Sequence, residues 1–193
     1  MRNYLFFAGL IFLMQTSAAG QSVNYEIDAS ASELTFKVDS TLHEVHGEAD
    51  IMPTEVAFDA ATGTVSGPIK ISIPVSELNT HHNGRDKEMR KMFDSENYPV
   101  ITWRSTEISC EPLSGQPEIN CDVKGYLKIR NSERSTSFPV TLTPDGDVLW
   151  AVGRWEFERK DFDLETPSVL GIIRVAQPVS IEFHTLWVHG ADS

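Results

Sequence analysis

The sequence predicts an all-β protein, an antiparallel barrel of about eight strands with one short helix. Hydrophobic and polar residues alternate in repeated runs, turn-forming stretches separate these runs, and a single segment has helical spacing. Strands joined by hairpin-like connections are typical of an antiparallel barrel or sandwich. We favour the barrel because closure removes the exposed edges that long strands would otherwise leave.

Seven runs alternate with period two, which places their apolar residues on one face of a strand. Turn-forming sequences such as DAATG at 59–63 and TPDGD at 143–147 separate them. Among the predicted inward positions are Phe36, Val38, Trp103, Trp155, Phe157 and Phe183. The runs are ELTFKVDS, IKISIPV, VITWRST, CDVKGYLKI, SFPVTLT, VLWAVGRWEFE and VSIEFHTLWV.

One segment, NGRDKEMRKMFDSENYP, breaks the alternation. Met89, Met92 and Phe93 fall at i, i+3 and i+4, which is the spacing of a short amphipathic helix. Asn83 or Asp86 could cap its start. A lone helix in a barrel would lie across one end or pack on the wall, where these three side chains would cover an apolar interior.

The first residues have the pattern of a secretory signal peptide. Arg2 precedes an apolar run at 4–14, and small residues follow at 17–20. The apolar run is about half of the roughly 20 residues needed to span a bilayer. The sequence therefore predicts a signal peptide at 1–20, a barrel domain at 21–193, and an exported protein without stable membrane insertion.

The two cysteines, Cys110 and Cys121, lie in SCEPLSGQPEINC. Export places them in an oxidising compartment, where thiols usually pair. Turn-forming residues between them allow the chain to reverse and bring two strands together. We expect a structural disulfide; the alternative, a redox pair, would normally have the CxxC spacing, which is absent here.

Charge and motifs argue against several function classes. A net charge of −12 disfavours nucleic acid or an anionic lipid surface as a partner. The chain has no GxSxG, CxxC, HExxH or phosphate-binding glycine loop. The acids between 156 and 165 are spaced like a solvent-facing surface. We therefore expect no enzyme activity, no cofactor and no metal site.

Four histidines keep other interpretations open. His43 and His46 could hold a metal ion, but residues i and i+3 of a strand face opposite sides unless a bulge intervenes. One of them could instead face a ligand head group, or both could be solvated. His81 and His82 precede the helix, either solvated or forming a polar mouth with Arg85. Arg85 itself either anchors the helix or hydrogen-bonds a ligand head group.

Four segments, taken in order, match the motifs of a known family. They are YEIDASASELTFKVDSTLHEVHGEAD, PVSELNTHHNGRDKEMRKMFDSENYPVITWRST, GYLKIRNSERSTSFPVTL and ERKDFDL. The first resembles the opening strands of the YceI-like family, and the second its most specific stretch, a helix followed by "YP.I.F". The third is similar to that family's "G.L.IRG…PV.L" and the fourth to its "R.DF". The resemblance extends from Val23 to Val188. Trp103 stands where the family usually has phenylalanine, and would narrow a cavity if it points inward.

This resemblance implies a lipocalin-like barrel with an elongated apolar cavity for a polyisoprenoid lipid. The implied function is an exported, periplasmic protein that holds a polyprenyl or isoprenoid-quinone chain in its lumen for transport or storage. We expect the ligand to contact the cavity lining or mouth at Phe36, Val38, His43, Arg85, Met89, Met92, Phe93, Trp103, Trp155, Phe157 and Phe183.

Two other functions remain compatible with the sequence. One is a metal- or haem-associated periplasmic protein that uses His43, His46 or the His81–His82 pair. The other is a stress-related interaction module without a ligand. A homodimer and transient contact with membrane proteins are also compatible with the sequence.

Overall fold

The structure, a computed structural model, describes residues 22–41, 43–59, 62–111, 117–165 and 175–190. The predicted signal peptide lies outside these residues. Within them the chain forms ten strands, one α-helix, and 3₁₀ turns at Val75–Glu77 and Arg159–Phe162. The elements are β1 Val23–Ser40, β2 Val45–Glu48, β3 Glu55–Asp59, β4 Thr64–Ser66, β5 Lys70–Pro74, α1 Asn83–Met92, β6 Val100–Cys110, β7 Ile119–Ile129, β8 Ser132–Asp145, β9 Val148–Glu158 and β10 Val175–His189.

The strands form one antiparallel sheet in the order β4-β3-β1-β10-β9-β8-β7-β6-β5, and β2 also pairs with β1. From β5 to β10 each strand pairs with the next along the chain, and β1 lies beside β10. The connector 49–54 bridges the two sides of the curled sheet. On one side Ala49 N donates to Leu34 O of β1, and on the other Met52 N donates to Ser72 O of β5, both at 2.9 Å. The all-β barrel predicted from the sequence is confirmed.

The strand count differs from the prediction of eight. The additional strands β2, β3 and β4 have only three to five residues each, too few to show a clear alternation in sequence. The predicted run at 33–40 is the second half of β1, which begins at Val23. The register of β1 shifts between Asp28 and Glu33. Asp28 Oδ1 accepts hydrogen bonds there from Ser30 N and Ala31 N.

The interior of the barrel holds the hydrophobic core. Along β7, buried and exposed residues alternate without exception from Ile119 to Ile129. The same period-two pattern buries Phe138, Val140 and Leu142 on β8. Burial of these apolar side chains away from water is the main contribution to the stability of the barrel.

The predicted helix is present as α1, but its cap differs from the prediction. His82 is the N-cap, and its Nδ1 accepts a hydrogen bond from Arg85 N at 3.2 Å. Asn83 is already the first helical residue, so neither it nor Asp86 can occupy the cap position. Instead, Asp86 is 6% exposed and accepts hydrogen bonds from Thr80 N, at 2.9 Å, and from the Thr80 hydroxyl. None of the helices formed by the described residues is long and apolar enough to span a membrane.

The predicted disulfide is also present. Cys110 and Cys121 are directly opposite one another on β6 and β7, with their Cα atoms 4.0 Å apart. Cys121 is buried and faces the interior. The bond therefore joins two adjacent strands at one end of the barrel.

Candidate functional site

The barrel interior contains a cavity of about 140 Å³ that is walled by strands, which we call the strand lobe. Its lining is almost wholly apolar. Thr185 contributes a hydroxyl, but this group already donates to Ala151 O at 3.2 Å and accepts from Trp187 Nε1 at 2.9 Å. Residues that define this lobe are Phe58, Trp103, Ile108, Cys121, Val123, Phe138, Leu142, Leu149, Phe183 and Trp187.

A second apolar cavity, of about 130 Å³, lies below the helix, and we call it the helix lobe. Met89, Met92 and Phe93 form its cover. The spacing predicted from the sequence accounts for this arrangement, since the three side chains share one face of α1 and its C-terminal end. Strand residues that define the lobe are Phe36, Val38, Ile101, Ile129, Phe157, Val179 and Ile181.

The two lobes adjoin. Four residues line both cavities: Leu34, Ile73, Leu127 and Trp155. Protein interiors ordinarily pack closely and leave few voids larger than a water molecule. Two adjoining apolar cavities of this size therefore make an elongated lumen, suited to a long apolar ligand rather than to a compact polar one.

Nine of the eleven predicted ligand-contacting residues lie on the walls of this lumen. Several of them are only half-buried although they face inward, because the open lumen reaches them. Whether they contact a ligand stays a prediction. The helix lobe includes Phe36, Val38, Met89, Met92, Phe93 and Phe157, the strand lobe includes Trp103 and Phe183, and Trp155 borders both.

His43 and Arg85 do not line either lobe. His43 is exposed in a tight turn in which Ser40 Oγ donates to its carbonyl oxygen at 2.6 Å. That turn follows the end of β1, a position that alternation alone could not reveal. Arg85 is half-buried, and its Nε donates to Thr80 Oγ1 at 3.0 Å. This contact anchors Arg85 at the start of the helix, and its hydrogen bond to a ligand head group stays a prediction.

The other three histidines considered from the sequence also lie outside the lumen. His46 is exposed on β2, with its Nε2 2.6 Å from Glu44 Oε1. His81 is exposed, with its Nε2 3.3 Å from Glu48 Oε1, and His82 caps the helix. Within the described part of the chain, no three His, Cys, Asp or Glu side chains are grouped so that they could hold a metal ion.

Trp103 points inward, as its place in the alternation predicted. It is 7% exposed and lines the strand lobe. Its indole Nε1 donates to Thr136 Oγ1 at 2.9 Å. The hydrogen bond satisfies the buried N–H and holds the ring on the wall of the strand lobe, beside β8.

Sequence reasoning did not identify Arg159 as a wall residue of the lumen. Arg159 is 4% exposed and lines the helix lobe. Its guanidinium donates to the carbonyl oxygens of Leu164 at 3.1 Å and of Val175 and Ala176 at 2.8 Å. Burial lowers the pKa of Arg159 from its ordinary value. The "R.DF" motif was the available signal, but the motif alone does not place the arginine inside the barrel.

Comparisons with known proteins agree on the family. The sequence profile of the YceI-like domain matches residues 25–186. The chain is 23% identical over 171 residues to protein YceI of Escherichia coli, covering 82% of this chain and 86% of that one. It is also 23% identical over 167 residues to a UPF0312 protein of Photorhabdus laumondii, covering 82% and 83% respectively.

Solved structures with the same fold include BcnA of Burkholderia cenocepacia and a polyisoprenoid binding domain from Saccharophagus degradans. BcnA matches with a TM-score of 0.67 and 22% identity, covering 83% of this chain and 98% of its own. The Saccharophagus domain matches with a TM-score of 0.67 and 17% identity, covering 87% and 99%. With the profile match across most of its length, the chain belongs to the YceI-like family.

Proposed function

We propose that this protein binds one isoprenoid lipid, a polyprenyl or isoprenoid-quinone chain, in its lumen and carries or stores it. The observation that supports this most directly is the pair of adjoining apolar lobes inside one barrel. The likeness of the fold to a polyisoprenoid binding domain is consistent with the proposal.

The dimensions of the lumen suit a prenyl chain of moderate length. On β7, Cys121 lines the strand lobe, and Ile129, eight positions further on, lines the helix lobe. This separation is about 26 Å along the strand, or about 20 Å along the barrel axis for a strand tilt of about 40°. An extended chain advances about 1.2 Å per bond, as a polypeptide does, so about four isoprene units span the lumen.

The chemistry of the lining favours binding over catalysis. Each methylene that leaves water contributes about 0.8 kcal/mol, so an apolar chain needs no charged anchor to bind. Arg159 is charged, but backbone carbonyl oxygens already accept hydrogen bonds from its guanidinium. The lumen presents no converging acid, base and nucleophile among its described residues. We therefore propose a binding protein.

We propose a periplasmic location, on the basis of the signal-peptide pattern at 1–20 and the disulfide. Fractionation of the native host should place the protein in the periplasmic extract. Recovery in the cytoplasm with the first 20 residues intact would contradict this. Light scattering of the purified protein measures its molar mass and tests whether it forms the homodimer with which the sequence is compatible.

The test of the function is to purify the mature protein from its own host and examine it by native mass spectrometry and solvent extraction. We expect one long-chain isoprenoid lipid per protein. Repeated absence of lipid, together with stoichiometric zinc or haem, would instead support the metal- or haem-associated alternative.

A pair of variants separates binding in the lumen from binding elsewhere. Phe36→Asp places a carboxylate in the helix lobe and should abolish lipid retention, because an unpaired charge in apolar surroundings is strongly unfavourable. His81→Ala alters an exposed side chain outside the lumen and should retain lipid as the unmodified protein does. Equal retention by both variants would place the lipid outside the lumen.

A further inference from the structure

Two glycines on the inner wall lie directly beneath aromatic rings. Gly47 of β2 is paired with Phe36 of β1, and Gly153 of β9 is paired with Phe183 of β10. A Cβ atom added to Gly47 would lie 2.1 Å from Phe36 Cζ, and one added to Gly153 would lie 2.4 Å from Phe183 Cζ. Real Cβ atoms do not approach other atoms so closely. Each ring thus occupies the space that a side chain on the neighbouring strand would fill.

Space, and not backbone conformation, is the reason for glycine at these two positions. Among the described residues, the glycines with φ in the left-handed region are Gly63, Gly67 and Gly146, so neither Gly47 nor Gly153 needs glycine for its backbone angles. β-Sheets use glycine where another group must approach the strand closely. The group here is a phenyl ring that lies along the wall of the lumen.

Each ring borders a different lobe: Phe36 lines the helix lobe and Phe183 the strand lobe. A ring displaced by a new Cβ atom has the lumen as the open space beside it. A cavity of about 150 Å³ is enough to hold benzene. One displaced phenyl ring would therefore fill most of a lobe of about 130 or 140 Å³.

We propose that Gly47 and Gly153 determine ligand specificity by keeping the two lobes open, so that one prenyl chain can occupy both. The inference rests on the proposed function and adds to it the residues that set the length of chain accepted. Each glycine controls one lobe, because each lies beneath a ring of that lobe. Substitution at either position should shorten the accepted chain from one end.

A third glycine, Gly125, also lies close to an aromatic ring, but its substitution cannot test the proposal. A Cβ atom on Gly125 would lie 2.6 Å from Trp103 Cζ2, but also 2.3 Å from the carbonyl oxygen of Arg104. Because backbone cannot rotate away as a ring can, Gly125 is needed for the fold itself. At Gly47 the three nearest atoms all belong to the Phe36 ring. At Gly153 the two nearest belong to the Phe183 ring, and the backbone oxygen of Pro139 follows at 3.1 Å, a tight contact that a shift of a few tenths of an ångström relieves.

The experiment measures binding of two prenyl alcohols to Gly47→Ala and Gly153→Ala. Geranylgeraniol has four isoprene units and matches the length of the lumen, and geraniol has two and matches one lobe. We expect each variant to bind geranylgeraniol at least about tenfold more weakly, since excluding even two methylenes from an apolar site has that effect. Geraniol should bind within about twofold of the unmodified protein in each single variant, because one open lobe suffices, and should be lost in the double variant.

Gly190→Ala is the matched control, since its Cβ atom would meet Asn24 O at an ordinary 3.5 Å. It should bind both alcohols unchanged. Adding Phe36→Leu to Gly47→Ala, or Phe183→Leu to Gly153→Ala, should restore geranylgeraniol binding, because the shorter side chain leaves the lobe open. This rescue distinguishes an occupied lobe from a damaged fold.

Four outcomes would overturn the proposal. They are unchanged geranylgeraniol binding in both single variants, an effect of only one of them, equal loss of both alcohols in each single variant, and failure of the leucine substitutions to rescue binding. All four leave the proposed function standing, provided that the unmodified protein binds geranylgeraniol. If the unmodified protein binds neither alcohol and carries no lipid from its host, the proposed function fails and this inference fails with it.

Discussion

The two lobes of the lumen are built differently. The strand lobe is enclosed by hydrogen-bonded strands and by the disulfide between β6 and β7. The helix lobe is covered by side chains from α1 and the residue after it. Polar contacts hold the start of that helix, chiefly those between Asp86 and Thr80. A cover of this kind can loosen without loss of the sheet, because regions with few packed contacts open at lower free energy than the core. The helix lobe is therefore the end of the lumen that we expect to open at lower free energy.

The largest difference between the lobes should appear when one aromatic ring is removed from the strand lobe. Phe138 is buried, stacks on Trp155 at 4.8 Å between centroids, and lies 5.6 Å from Trp103. Phe138→Ala should lower the free energy of unfolding by about 4 kcal/mol. Met92→Ala, in the half-buried cover of the helix lobe, should lower it by about 1 kcal/mol. Urea denaturation measures both, and equal losses would show that the two lobes contribute alike to the core.

Removal of the disulfide should also weaken the strand lobe selectively. The bond joins residues separated by 11 positions in the chain. Loss of this constraint on the unfolded chain in Cys110→Ser/Cys121→Ser should lower the free energy of unfolding by about 3 kcal/mol. Amide exchange should accelerate in β6 and β7 near these residues and stay unchanged in α1. Faster exchange in α1 would contradict the independence of the two ends.

Asp86 provides the corresponding test at the helix lobe. Asp86→Asn removes a buried carboxylate that accepts two hydrogen bonds from Thr80, so the variant should be less stable by about 2 kcal/mol. At the helix lobe we expect this variant to show faster amide exchange in α1 and faster release of bound lipid. Glu88→Gln is the control on the same helix. Glu88 pairs with Lys91 on the exposed surface, so its loss should change stability by about 0.5 kcal/mol or less.

The contribution of Asp86 should depend on pH. Burial raises the pKa of Asp86, but the hydrogen bonds from Thr80 and the charges of Arg90 and Arg85 lower it by more. The pKa of Asp86 therefore lies below its ordinary value of 3.8. Its stabilising effect is therefore complete above that ordinary value and disappears as the pH falls through the lowered one. Asp86→Asn should abolish this part of the acid dependence. If the stability of the variant depends on acid pH as that of the unmodified protein does, other carboxylates cause the dependence.

Alternation of apolar residues predicted most of the sheet and most of the lumen. Because the period of a strand is two, Phe36, Trp103 and Phe183 had to share the inner face once their strands were identified. The helical spacing likewise placed Met89 and Met92 on one face. These residues were predictable since their roles follow from local geometry.

Features that depend on distant contacts were not predictable in this way. The role of Gly47 depends on a ring on another strand, which no local pattern in the sequence reveals. The position of Arg159 depends on carbonyl groups up to 17 positions away that accept its hydrogen bonds. The cap formed by His82 required the helix start to be known to a single residue, and helix ends are the least certain part of such predictions.

The smallest effect is expected from the histidines outside the lumen. His46 and Glu44 form an exposed pair on β2, where solvent screens the interaction. His43→Ala/His46→Ala should therefore shift the melting temperature by no more than about 2 °C and leave lipid binding unchanged. The same variant tests the metal-associated alternative, since calorimetric titration with zinc should show no specific site in the unmodified protein. Tight zinc binding that disappears in the variant would show that these histidines form a site, and that the lumen is not the only place where this protein binds a ligand.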